Sequence, residues 1–461
     1  ISNNRLPNGG FGWLVVAGCA LSNVFNQSLI SIFGLLFGEF LSNELGQGTS
    51  GAALVMNLCS VCLNFSGLIT GSIIKKLSVR KTAILGSILT GSGLILCSIS
   101  QSFWQILVFY GVFVGLGFGL INPSSFIAVN SYFTTKKGQA VGLALAGTGL
   151  GQMVMPNLVS FLLNEYGFRG TVLIMGGLAL NGVVGALLYQ PVKWHMKNYK
   201  ADSTNSIDEA EKASLLSKKK KIIDMIEDSE VAKKSVFKRI ARAMDLKLLK
   251  SFTFLNIIIG LAFAYSASIS FSMLFPYFLQ NTAHLSKTDT ALCMSILAGA
   301  DLTSRLILPT ITDRFKFSSR SIFLVAAIFL VIARSTLAET RSRLSLLVVS
   351  CFYGFVRAAT IVNQNLTIAE YCNCEKRQTM LPNALGLNMV AKGFFVITLG
   401  QLLGWIRDKT GNYSLCLHAQ NILLVIVIVM WTPEILYKKF LVSTLLSQSL
   451  VKYFEHVNTV N

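Results

Sequence analysis

Asp301 and Arg305 stand four residues apart in the stretch Ala298-Gly-Ala-Asp301-Leu-Thr-Ser-Arg305, inside an apolar run from about Thr288 to Thr312. A helix puts residues at that spacing on one face, about one turn apart. The run is long enough to cross a bilayer core, which takes ~20 helical residues, and the pair falls near its middle. An ionised group at that depth costs ~2.5–3.5 kcal/mol on insertion scales and is usually kept where a pathway uses it. Two readings follow: a structural ion pair locking two helices, or a site that receives an anion and passes a proton. Arg357 and Lys392 lie near the centres of two further apolar runs. At midplane depth three cations then face one carboxylate. A carboxylate solute would offset that excess, and arginine holds a carboxylate through two parallel hydrogen bonds. Helix carbonyls or water are an equal alternative for Arg357 and Lys392. A solute that draws Arg305 away would leave Asp301 able to take up a proton. Arg334, nearer an end of its run, is expected to snorkel to the interface.

No other constellation competes. The sequence has no glycine-rich phosphate loop, no metal-ligand spacing and no nucleophile elbow, so no enzyme, cofactor or metal is expected. None of the four histidines falls in a relay, and the nine cysteines are scattered without a zinc or disulfide pattern.

The elements that must position these groups are read from composition. Of 461 residues, 52% are hydrophobic and only 13% charged, against about 25% charged in soluble domains. The mean hydropathy is +0.59. Long apolar runs without short alternating segments mark an all-α membrane protein rather than a β-barrel. Twelve spans are expected, near 12–38, 51–74, 82–99, 103–130, 138–163, 170–190, 252–279, 288–312, 320–338, 344–369, 380–404 and 414–436. They divide the chain into a six-helix half (1–191), a polar linker (192–251), a second six-helix half (252–438) and a tail (439–461). The linker holds fifteen Lys or Arg against nine Asp or Glu, including Lys218 to Lys221. It is expected to be largely disordered or amphipathic. No cleavable signal peptide is visible before the first span. An N-terminal piece is expected to precede Ile1, which is not a methionine.

With both termini on the cytoplasmic side, thirty of the forty basic residues fall on inside segments and six on outside loops. That bias is the positive-inside rule, and it accounts for the net charge of +19 without nucleic acid. The halves also echo one another. Gly71-Ser-Ile-Ile-Lys75-Lys76 follows span two and Pro309-Thr-Ile-Thr-Asp313-Arg314 follows span eight. Both place a breaker residue four positions before a charged pair. Parallel six-span repeats are how major-facilitator transporters are built, with the solute site between the halves. Glycines in spans four and five (Gly115, Gly117, Gly119, Gly142, Gly147, Gly151) read as close-packing positions.

Two further stretches carry a resemblance. The first span opens with Asn8-Gly9-Gly10-Phe11-Gly12-Trp13. Span five is entered by Tyr132-Phe133-Thr-Thr-Lys136-Lys137-Gly-Gln-Ala140, running on through Gly142, Ala144, Ala146 and Gly147 to Gly151. These resemble the acidic-Gly-Gly-Trp-Gly-Trp signature and the Tyr-Phe, basic, Ala/Gly-rich pattern of the monocarboxylate transporters, a family within the major facilitator superfamily. The later half, with Arg357-Ala-Ala-Thr and Gly404-Trp405-Ile-Arg407-Asp408, is most similar to insect members.

The resemblance implies a plasma-membrane carrier that handles a carboxylate at Arg305 and a proton at Asp301. Partners would be a small carboxylate solute, the lipid bilayer and, for some members, a single-pass ancillary subunit. Asn8, Gly9, Gly10, Trp13, Tyr132, Phe133 and Gly147 are expected to set folding and gating. Arg305, Arg357, Lys392, Asn26 and Gln27 are the candidate solute-binding residues. Asn8 and Phe11 depart from the signature. The span-one lysine of proton-coupled lactate carriers is replaced by Ser31, which weighs against strict proton–lactate symport. Arg357 and Lys392 would then supply the missing charge. The alternatives are an uncoupled carrier of amino-acid-like or aromatic solutes, and a non-transporting receptor or accessory protein on the same fold.

Overall fold

The longest apolar helical run, Lys137–Leu187, has 51 residues. At ~1.5 Å per residue it would measure more than twice a bilayer core of ~30 Å. It is divided at Gly167, whose φ of 64° and ψ of −175° interrupt the helix. That is a conformation open to glycine at little cost. Its two arms, 137–166 and 168–187, are α5 and α6. The computed structural model describes residues 9–46, 49–195, 245–315, 317–374 and 378–460.

The remaining spans follow the apolar runs. In the first half, α1 is Phe11–Ser42, α3 is Val79–Ser98 and α4 is Phe103–Tyr132. Between α1 and α3, α2 is a pair of helices, Thr49–Phe65 and Gly67–Leu77, bent by 48° where they join. In the second half, α7 is Phe252–Asn281, α8 is Lys287–Phe315 and α9 is Ser319–Glu339. They are followed by α10, Arg343–Cys374, α11, Leu381–Thr410, and α12, Tyr413–Val460. With the arms of the divided run counted apart and the bent pair as one, the described helices count as twelve candidate spans by length and composition, consistent with the expected twelve. Helices α8, α10 and α11 outrun their apolar windows, because backbone hydrogen bonding rather than hydropathy sets where a helix ends. α12 likewise continues through the stretch expected as a tail. Of the linker, residues 196–244 lie outside the described residues. Its ends form 3-10 turns at Val192–Trp194 and Leu246–Lys250.

Large apolar side chains such as Leu14, Phe161, Val348, Ile422 and Val429 are exposed on the outside of the bundle. That many would be a liability in water, whereas lipid tails solvate them and backbone polar groups are satisfied within each helix. Polar residues are turned inward. Arg334, expected at the interface, is instead fully buried. Its Nη2 donates to the Tyr353 hydroxyl at 3.0 Å, and its guanidinium lies 5.0 Å from the Phe271 ring. Those aromatic partners come from α7 and α10, so position along α9 could not show that they cover it.

A second buried cation clamps three helices at the linker end of the second half. Arg320 on α9 donates to Glu434 on α12 at 2.8 Å and lies 4.8 Å from the Trp431 ring. Asn256 on α7 donates to the same carboxylate oxygen at 2.8 Å, and Trp431 Nε1 donates to the Asn256 carbonyl at 3.0 Å. Removing one member of a buried pair leaves the other uncompensated, at a cost of about 3–5 kcal/mol. Glu434→Gln is therefore expected to lower the thermal midpoint in detergent by several degrees, read by scanning fluorimetry. A midpoint equal to wild type would show that Arg320 needs no counter-charge.

Candidate functional site

Asp301 and Arg305 are both 4% exposed, and the Arg305 Nε lies 2.6 Å from an Asp301 carboxylate oxygen. The α8 spacing brings them together as one turn of helix requires. Arg305 reaches across to the other half as well, its Nη1 donating to the Leu145 carbonyl of α5 at 2.9 Å. The other oxygen of Asp301, Oδ1, has no hydrogen-bond partner.

Arg305 lines a cavity of about 310 Å³ between the two halves, walled by residues from α1, α2, α4, α5, α7, α8, α10 and α11. Arg357 on α10 and Lys392 on α11 line the same space. The Lys392 ammonium donates to Gln364 Oε1 at 2.8 Å and sits 4.8 Å from the centre of the Tyr265 ring. Arg357 Nε is buried without a partner. Three of the sequence-derived cations thus converge, and among the described residues no Asp or Glu lines the cavity. Amides complete the wall, among them Gln27, Asn64, Asn122, Gln152, Asn365 and Asn388.

The two amides of α1 part company. Gln27 lines the cavity and donates to the Asn122 carbonyl oxygen of α4. Asn26 does not line it; it is fully buried and donates to the carbonyls of Ser22 and Ala179, the latter on α6. Asn23 takes the place at the wall, held by its donation to the Ala144 carbonyl at 2.8 Å. The turn Asn23–Gln27 is a π-helix, a widened turn that re-aims side chains and recurs at functional sites. An α-helical count along the sequence does not register it. Tyr265, Gln364, Asn365 and Asn388 also escaped the sequence reading. Buried amides in otherwise apolar runs were the available signal, and Tyr265 gave none. Ser31, in the register of the absent lysine, accepts a hydrogen bond from Gln152 at 3.1 Å.

The signature residues other than Gly147 gather elsewhere, at the end of the first half from which the linker leaves. Gly9 lies just before the helix and Gly10, with φ of 56°, starts α1. Trp13 meets the Phe133 ring edge-on at 5.0 Å and Phe11 stacks on His195 at 4.1 Å. The Tyr132 hydroxyl donates to the Gln190 carbonyl at 2.9 Å. Gly147 faces the backbone of Ala20, where a Cβ would have no room. Asn8 lies outside the described residues.

Between cavity and linker the halves are pressed together. Gly67 of α2 and Gly386 of α11 each face the other's carbonyl, and Gly142 of α5 faces the Arg305 carbonyl. Asp313, at the end of α8, accepts the backbone N–H groups of Gly138 and Gln139 at 3.1 and 2.8 Å, capping the start of α5. A second cavity of about 410 Å³ lies on this side, lined by Lys137, Asp313, Asn363 and Glu370 among others.

Two six-helix halves around a polar central cavity are matched by the Major Facilitator Superfamily model over residues 19–394. The chain belongs to the major facilitator superfamily. It is similar to monocarboxylate transporter 12 of Rattus norvegicus, 27% identical over 88% of this chain and 82% of that protein. It is 26% identical to monocarboxylate transporter 1 of Homo sapiens, over 91% of this chain and 84% of that protein. Among solved structures, the proton:xylose symporter XylE bound to 6-bromo-6-deoxy-D-glucose shares the fold. The TM-score is 0.66 at 15% identity, covering 92% of this chain and 96% of that one. The protein is a multi-pass membrane carrier rather than an enzyme.

Proposed function

We propose that this carrier moves small organic anions, monocarboxylates being the first class to test, across the plasma membrane by alternating access. Both termini and the linker lie on the cytoplasmic side in this reading, as the distribution of Lys and Arg supports. The observation that carries it is a cavity lined, among the described residues, by three cations and no carboxylate. A zwitterion would bring an ammonium group that no acid among the described lining residues receives, and Asp301 is already engaged by Arg305. The relatives' names, monocarboxylate transporters 12 and 1, agree with an anionic solute.

Arg305 is the primary carboxylate site and Asp301 its proton-linked partner. An arriving carboxylate competes for the guanidinium with Asp301 and with the Leu145 carbonyl. Capturing Arg305 would loosen a bond between the halves and free Asp301 to accept a proton. Radiolabelled uptake of a panel of acids in cells lacking endogenous carriers, at two external pH values, tests this directly. Uptake of at least one monocarboxylate, faster at the lower pH, is expected. Uptake of neutral or zwitterionic solutes alone would remove the anion reading, and pH-independent uptake of an acid would remove the coupling.

A further inference from the structure

Arg305 and Asp301 form a pair whose charges cancel, 2.6 Å apart. Arg357 and Lys392 have no such partner: among the described residues no carboxylate is paired with either. Lys392 is 9% exposed and is held only by neutral groups, the Gln364 carbonyl oxygen and the face of Tyr265. These orient the ammonium without cancelling its charge. Arg357 keeps a buried Nε with no acceptor at all. The two cations stand on different helices, α10 and α11, and line one cavity. A single carboxylate docked on Arg305 would leave both of them facing a low-dielectric space uncompensated, which is where unpaired charge is most unfavourable.

The wall also holds an unmet acceptor. Asn388 is 1% exposed, lines the cavity, and its Oδ1 has no donor. A buried amide oxygen in that condition calls for a hydroxyl or N–H on the solute.

We infer that the preferred solute is an organic dianion with a hydrogen-bond donor on its backbone, a hydroxylated dicarboxylate being the simplest case. One carboxylate engages Arg305 or Arg357 through a guanidinium fork, the second engages Lys392, and the donor meets Asn388. This rests on the anion-carrier reading above and adds the second negative charge to it.

The test compares malate with 2-hydroxybutyrate, which share a four-carbon chain and a hydroxyl and differ by one carboxylate. Uptake by the full chain, in cells without endogenous carriers, is expected to favour malate in kcat/KM by about tenfold or more, as one charge-assisted contact commands. Lys392→Gln and Arg357→Gln should each pull that ratio toward one. The ratio is independent of how much protein reaches the surface, and the wild-type comparison stands even if one variant fails to fold. A wild-type preference for 2-hydroxybutyrate, or a ratio that neither variant moves, overturns the proposal. So does 2-hydroxybutyrate uptake that requires external chloride, which would assign the second charge to a halide. Uptake of neither acid, while another monocarboxylate of the panel is carried, overturns the dianion proposal alone; a panel in which no acid is carried would remove the anion-carrier reading beneath it.

Discussion

Arg305→Ala is expected to reduce uptake of every transported acid by about 30-fold or more, whatever the solute proves to be. The guanidinium touches both halves, through Asp301 on its own helix and the Leu145 carbonyl on α5. Truncating a buried, hydrogen-bonded charge costs about 2–5 kcal/mol, and every 1.4 kcal/mol is tenfold. The variant loses the carboxylate fork and leaves Asp301 buried without its cation. Arg305→Lys keeps the charge but not the planar fork, so it should fall between alanine and wild type. Asp301→Asn separates the two roles: binding of acids persists, and the difference in uptake between two external pH values disappears. Radiotracer uptake normalised to surface-labelled protein reads all three. Arg305→Ala with ordinary uptake would move the solute site away from α8. Asp301→Asn with an unchanged pH response would remove proton coupling from this carboxylate.

The sequence carried much of this site because depth in a membrane is written along the chain. An apolar run of known length fixes which residues lie at its middle. Asp301, Arg305, Arg357 and Lys392 could therefore be singled out by position, and the structure gathers the three cations round a single cavity, with Asp301 paired to Arg305 behind its wall. What position along a helix does not encode is azimuth. Asn26 and Gln27 are neighbours in sequence and equal in depth, yet successive residues of a helix face directions about 100° apart, and here one meets α6 and the other the cavity. Arg334 failed for the same reason. Its distance from the span end suggested an escape to the interface, while rings from two other helices close over it. Gly142 and Gly147 read identically as packing residues. One proves to face the opposite half and the other its own, a distinction that exists only once the halves are assembled.

The repeated loops were legible as an echo, and their difference is what matters for gating. In the second half Asp313 follows Pro309 by four residues and caps α5 of the first half. The matching position after Gly71 is Lys75, a residue of the wrong sign to cap the start of α11. Asp245, just before the 3-10 turn Leu246–Lys250, supplies the carboxylate instead. It pairs with Lys75 and accepts from Asn383 Nδ2 at 2.6 Å, at the start of α11. One latch is thus built into the bundle and the other is borrowed from the end of the linker, so that segment is tied to the closed seam. A helix-start contact of this kind is worth about 1 kcal/mol, a severalfold change in an equilibrium. Asp245→Asn and Asp313→Asn are each expected to raise, about fivefold, the rate at which a membrane-permeant thiol reagent labels a cysteine placed at Asn363 in the linker-side cavity. Exchanging the pair, Lys75→Asp with Asp245→Lys, should return labelling only part of the way toward wild type, because it restores the ion pair but removes the carboxylate that accepts from Asn383 Nδ2.

Gly386→Val acts far more strongly on the same seam. Its side chain would occupy the place of the Gly67 carbonyl, backbone that cannot swing aside, so the linker side could no longer close. Labelling at position 363 should then rise well beyond the latch variants while uptake is lost, since a carrier open to one side cannot turn over. Equal labelling in Gly386→Val and wild type would mean that the two halves part along some other surface, and the glycine contact between α2 and α11 would be packing alone.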